Sequence, residues 1–536
     1  MKIKKNNTMN HTFYMIVLFI LFAYRITFVN RIGDLGNGYF AIAFEFALLF
    51  YILFLLPLFG TVYKMMNARI QLKQYKLVHQ IFNVSLLYVL IIGTFSVVCT
   101  YFLGGFFMET LFHAQYATLA FKYMGFVLLM LGVIHVLLAY FRAMGGSIQI
   151  KISCIVGILV VIITSYFSVG MLQEEGLKIS ALLQNEEFEY GFMAMGGTIA
   201  LLVASVVIAI VLVLIYVINT DFRKKRMASD KSKTKLKILF ILKEILINNA
   251  KATSISCFYT CITIVYLFLY QVLQQSNDRT HITQIGIFYG YAYIVVQFFV
   301  LLLFVVFQSE SKNLKSELTE YAKRTININS AIKRIFIYSL FLGITLFIMG
   351  NTILVVLFQS SNIIVSNIMA IGSIIVIFSY LSYYLHMFLC YLQKKQHAIM
   401  ATGICFALGI VITIGILLGT DYGIQSLFIG GCVFFVSSSI INLILVQKVT
   451  RRSVNYMSTF GIPILGGLAV IVVQIIFVKL LSNVIGDVFT LLIGILISLI
   501  LYIIFLLRFK CIQKKDLRHT VGGMMIEKIA HSLHII

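Results

Sequence analysis

The sequence predicts an all-α, polytopic membrane protein with about fourteen transmembrane helices. The 536 residues are 61% hydrophobic and only 11% charged, with a mean hydropathy of +1.00. A soluble domain has roughly 45 to 50% apolar and 25% charged residues. Apolar stretches of about 20 residues, each long enough to cross a bilayer, recur along the whole chain with short polar gaps between them. Lys and Arg gather in alternate gaps, as expected of cytoplasmic loops.

The stretches begin near Thr12, Tyr39, Ile81, Ala120, Ile152 and Met193, then near Ser254, Thr283, Ile335, Ile364, Ala398 and Ile424, and finally near Tyr456 and Val488. "MKIKKNN" resembles the basic start of a signal peptide, but the following run carries Arg25 and lacks a small-residue cleavage site, so it is expected to remain as the first helix. The first six helices form one lobe over 1–218 and the next six a second over 251–450. Residues 219–250 make a basic connector, 451–508 the last two helices, and 509–536 a tail.

With the first terminus inside, the only Lys and Arg away from inward loops are Arg25, Arg31, Lys122, Lys178, Arg279 and Lys479. Both termini are therefore expected in the cytoplasm of a bacterial cell. The net charge of +23 and the run "RKKRMASDKSKTKLK" raise the possibility of nucleic-acid binding. A basic stretch beside the inner membrane surface is better matched to anionic lipid headgroups, and no nucleic-acid partner is expected. Seven of the eight cysteines lie within helices and Cys511 in the tail, with none in an outward loop, which argues against a disulfide framework. No cofactor or metal site is expected.

The two lobes carry a common pattern. Tyr101, Gly104, Leu111 and Phe112 match Phe347, Gly350, Leu357 and Phe358 in spacing, and "HVLLAYF" from His135 matches "HMFLCYL" from His386. Copies six helices apart share one orientation and form parallel repeats, with a substrate path between them. His135 and His386 are expected to pack between helices.

The first hairpin, around "RIGDLGNGYF", holds Arg25, Arg31, Asp34 and Glu45. An ionisable group at the bilayer centre costs at least about 2.5 kcal/mol and usually marks a polar path. With a turn near Leu35, Arg25 and Glu45 come to similar depth, so an ion pair or water-bridged contact is expected. Such a pair can be structural. Functionally, Arg25 can offer its planar fork to a phosphate or diphosphate, with Glu45 orienting it or exchanging a proton. Gly33, Gly36 and Gly38 supply a hinge, and Pro57 in "LLPLFG" a gating bend. In the seventh and eighth helices Tyr266, Tyr270, Gln271, Tyr289, Tyr291, Tyr293 and Gln297 replace charge. Tyr289 and Gln297 are the candidates for sugar stacking and hydroxyl recognition.

"IGDLGNGYF", "LPLFGTVYKMMNARIQLKQYKLVHQIF", "AYFRAMG" and "FYGYAYIVVQ", in this order, resemble motifs of the stage V sporulation protein B and polysaccharide-biosynthesis transporters. These belong to the multidrug/oligosaccharidyl-lipid/polysaccharide exporter superfamily, which also holds the lipid II flippases. The resemblance implies a two-lobed, V-shaped transporter that works by alternating access, with a cationic cavity for a polyprenyl-diphosphate-linked saccharide or another anionic amphiphile. In it, Arg25 and Arg31 match a first-helix basic pair, Asp34 a turn acid, and Glu45 approximates a second-helix acid. The eighth helix departs from the pattern by lacking an arginine. A cation-coupled multidrug exporter is the alternative transporter. A membrane glycosyltransferase or polymerase would need convergent acids or a metal site that the loops do not offer, so no enzymatic activity is expected.

Overall fold

A bilayer cannot hydrate backbone polar groups, so a spanning chain pairs them within helices. The computed structural model describes residues 2–230, 236–274, 279–308, 328–359 and 362–511, which contain helices and no strand. Part of the basic connector, 231–235, and most of the tail, 512–536, lie outside the described residues.

The first helix, α1 (Lys2–Phe50), is followed by α2 (Leu58–Gln71), α3 (Tyr75–Phe102), α4 (Ala117–Ala143), α5 (Ile148–Leu183), α6 (Glu187–Ile218) and a short α7 (Thr220–Ala228). The chain continues through α8 (Ile238–Thr260), α9 (Ile262–Gln274), α10 (Arg279–Ile287) and α11 (Tyr293–Val306). It ends with α12 (Ile328–Phe358), α13 (Ile363–Tyr391), α14 (Lys395–Gly419), α15 (Gln425–Thr450), α16 (Ile462–Ile485) and α17 (Asp487–Arg508).

Among the described residues, 12 helical stretches are long and apolar enough to span a membrane. One of them, Thr12–Gln71, has 60 residues and breaks at Gly33, so it supplies two crossings. The pair α8 and α9, bent by 59° across Cys261, supplies another. These breaks account for the fourteen crossings read from hydropathy, and the chain is a multi-pass membrane protein.

The chain forms two compact units, Thr27–Ile287 and Met1–Ile26 with Phe288–Ile536. In the first, α4 packs on α3, α6 and α2, α5 runs along α6, and α8 lies against α2 and α3. Its core joins Leu58 and Val62 to Phe82, Val136, Leu212 and Ile245. In the second, α13 packs on α12 and α15, α14 on α15, and α16 and α17 against each other and α12. Phe22 of α1 stacks on Phe298 of α11 at 4.1 Å. The matched segments around His135 and His386 fall one in each unit. Each imidazole is held by its surroundings: His135 Nδ1 lies 3.1 Å from the Leu55 carbonyl, and His386 Nδ1 2.8 Å from Thr402 Oγ1.

Lipid contacts supply no hydrophobic force between helices, so interhelical hydrogen bonds and close packing hold them. Gln474 of α16 is buried and donates through Nε2 to Thr345 of α12 at 3.0 Å and to Ser498 of α17 at 3.1 Å. Replacing it by Leu should therefore lower stability by about 0.6 to 1.7 kcal/mol, measured by denaturant titration in micelles. An unchanged midpoint would mean that apolar packing alone holds these three helices.

Candidate functional site

Gly33 turns the first hairpin with φ 70° and ψ 176°, a backbone conformation open to glycine and costly for residues with a β-carbon. Twelve residues in one helix span about 18 Å, yet the Phe28 and Phe40 rings lie 5.1 Å apart. The chain therefore reverses at Gly33, two residues before the expected turn at Leu35, and Gly33 and Gly36 lie against Tyr190 of α6.

After the turn, the hairpin crosses α10 at backbone contact. A β-carbon on Gly286 would stand 1.7 Å from the Asp34 carbonyl oxygen, and one on Gly38 would stand 2.2 Å from that of Ile282. Two bare Cα atoms allow the approach, and Asn37 fastens it by donating through Nδ2 to the Gly286 carbonyl at 2.6 Å. Tyr39 donates to Glu187 at 2.7 Å. Beside them Arg279 pairs with Glu186 at 3.0 Å, an exposed bridge of the kind that contributes little.

Further along, Glu45 is buried, at 3% exposure, and accepts a hydrogen bond from Thr263 Oγ1 at 3.1 Å. Thr263 stands just past the α8–α9 bend, which turns its hydroxyl inward. At Pro57 the missing N–H removes the helical partner of the Leu53 carbonyl, and the preceding turn, Tyr51–Leu55, is π-helical. Polar side chains from neighbouring helices meet the loosened carbonyls: Thr253 reaches Leu53 at 3.4 Å and Asn249 reaches Phe54 at 3.4 Å. His135 completes the set at Leu55.

Asp34, Gly38, Asn37 and Gly286 thus come together, as do Glu45 and Thr263. Arg31 turns to α5, where its guanidinium carbon lies 4.2 Å from the centroid of the Tyr166 ring. Arg25 is half-buried in α1 and belongs to the other unit, with Tyr289 and Gln297. Tyr289 is buried beside Phe288 and Tyr293 in a second π-helical turn, Phe288–Ala292, whereas Gln297 is exposed. Asn37, Thr263, Asn249 and Thr253 were not singled out from the sequence. Their signal is a neutral polar residue close to a helix break.

The chain shares its all-helical fold with solved MATE transporters and a lipid II flippase. A lipid II flippase, MurJ, in an inward closed conformation matches 92% of this chain and 98% of its own with a TM-score of 0.61 at 13% identity. An inward-facing multidrug resistance MATE family transporter of the MOP superfamily covers 81% of this chain and 95% of its own, with a TM-score of 0.59 at 13% identity. A eukaryotic MATE transporter covers 83% and 98%, with a TM-score of 0.54 at 14% identity. No protein-family model and no curated protein sequence matches the chain.

The crossing of the turn and α10 is sensitive to side-chain bulk. Gly286→Val should destabilise the protein by about 1 to 3 kcal/mol through overpacking. Gly415→Val, where a β-carbon meets nothing within 4 Å, should change stability by less than about 0.5 kcal/mol. Thermal denaturation in one detergent compares them, and equal effects would show that the crossing tolerates separation.

Proposed function

We propose that the protein is a flippase that carries an anionic, polyprenyl-diphosphate-linked saccharide across the cytoplasmic membrane by alternating access, for cell-wall or exported-polysaccharide synthesis. The observation that carries this reading is Arg25, a permanently charged fork in the membrane-spanning arm Thr12–Ile32 of α1. Such a group is costly in hydrocarbon and suits the paired oxygens of a diphosphate. The likeness to a lipid II flippase over 92% of the chain agrees with it.

In this reading Arg25 binds the diphosphate and Gln297 offers an amide to saccharide hydroxyls. Tyr289 joins them when the π-helical turn around it moves. Closure at one end of the path is assigned to the crossing of Asp34–Gly38 with α10, and the bend at Pro57 accommodates movement at the other. The basic connector rests on anionic lipid: Arg226 lies over Tyr75 and Arg223 over Tyr216, both at helix ends.

Glu45 favours a second reading. A buried carboxylate next to a hydroxyl is a place for a coupling cation or proton, as a cation-coupled multidrug exporter of this fold would need.

The two separate in proteoliposomes. Under the flippase reading, wild-type protein moves a fluorescent polyprenyl-diphosphate disaccharide between leaflets, and Arg25→Gln slows this by about 10- to 100-fold, the worth of a hydrogen bond to a charged group. If wild-type protein ignores that lipid but drives a cationic dye against a Na⁺ or H⁺ gradient, and Glu45→Gln abolishes the transport, the exporter reading replaces it.

A further inference from the structure

Arg31 is a half-buried cation that lies against α5 within its own unit. Among the described residues no group accepts a hydrogen bond from its guanidinium, whose five N–H groups demand acceptors. Its contact is the face of the Tyr166 ring at 4.2 Å, which attracts the charge and leaves the donors unused. Nη2 lies 2.8 Å from where a β-carbon of Gly170 would stand, so the missing side chain at Gly170 forms the seat that brings the guanidinium against α5.

The surroundings of this seat are apolar and uncovered. Tyr166 is 63% exposed, Phe167 61% and Met171 68%, on a helix that packs mainly along α6. Fifteen residues from Lys151 place Tyr166 about 22 Å along α5, and eight more, about 12 Å, lead to Glu174. The ring thus stands in the half of a roughly 30 Å hydrocarbon layer nearer the Gly33 turn, which the charge pattern makes the outer half.

We propose that Arg31, seated on Gly170 and Tyr166, binds the headgroup phosphate of an anionic glycerophospholipid of that leaflet, whose acyl chains lie along the bare face of α5. The guanidinium fork matches two phosphate oxygens, and an apolar wall directly below suits a lipid and not a soluble anion. A lysine would offer a point charge without the fork. The inference rests on the membrane setting and not on the transported cargo, so it stands or falls apart from the flippase reading.

The chain has no tryptophan, so Tyr166→Trp introduces a single indole that preserves an aromatic face under Arg31. With this variant reconstituted in vesicles, the indole fluorescence should be quenched by brominated phosphatidylglycerol in preference to brominated phosphatidylcholine by about fivefold, the scale of one surface cation acting on an anionic lipid. Adding Arg31→Gln should bring the ratio to about one. Gly170→Leu, which fills the seat and keeps the charge, should do the same, and Arg31→Lys should retain part of the preference. Millimolar inorganic phosphate should not displace the lipid. Absence of quenching, a preference left intact by Arg31→Gln, or displacement by soluble phosphate would each overturn the assignment. Displacement by one equivalent of a polyprenyl diphosphate would transfer the seat to the cargo and also overturn it.

Discussion

A carbonyl that hydrocarbon cannot hydrate must find its donor within the protein, and the rest of this structure is arranged around that constraint. Unbroken helices meet it alone. At Pro57 the helix gives up an N–H, and Thr253, Asn249 and His135 reach the carbonyls of Leu53, Phe54 and Leu55 from two other helices. Near the Gly33 reversal, Asn37 donates to the Gly286 carbonyl across two helices. The breaks give the chain its places to bend, and the neutral polar side chains beside them keep the bends soluble in lipid.

This arrangement separates two kinds of polar residue. Amides, a hydroxyl and the His135 imidazole meet the backbone carbonyls. Arg25, Arg31 and Glu45 are not among the donors at the Pro57 break or at the Asn37 fastening. An ionisable group costs more than an amide in this medium. Glu45 accepts from a hydroxyl and Arg31 lies against a ring face.

The helices were legible because hydropathy responds directly to the bilayer, and even the merged stretch Thr12–Gln71 divides where "RIGDLGNGYF" announces a turn. The partners across helices were not, since Asn249 and Thr253 lie about 200 residues from the carbonyls they reach. Glycines were legible as a group but not in their roles: Gly33 turns the chain, while Gly38 is small so that α10 can touch it. Gly286, its counterpart on α10, gives no local signal, because a lone glycine in an apolar run does not say which backbone approaches it.

The arginine pair shows why depth alone misleads. Six residues separate Arg25 from Arg31 by about 9 Å along the axis, which sets Arg31 nearer the outer interface. The same six residues turn the helix by nearly one and two-thirds revolutions, so the side chains leave the axis about 120° apart. Arg31 leaves the helix toward the ring of Tyr166 and the bare Cα of Gly170. The stretch of α1 before Gly33 thus sets Arg31 against an exposed aromatic ring of α5, a contact that depth along the axis does not reveal.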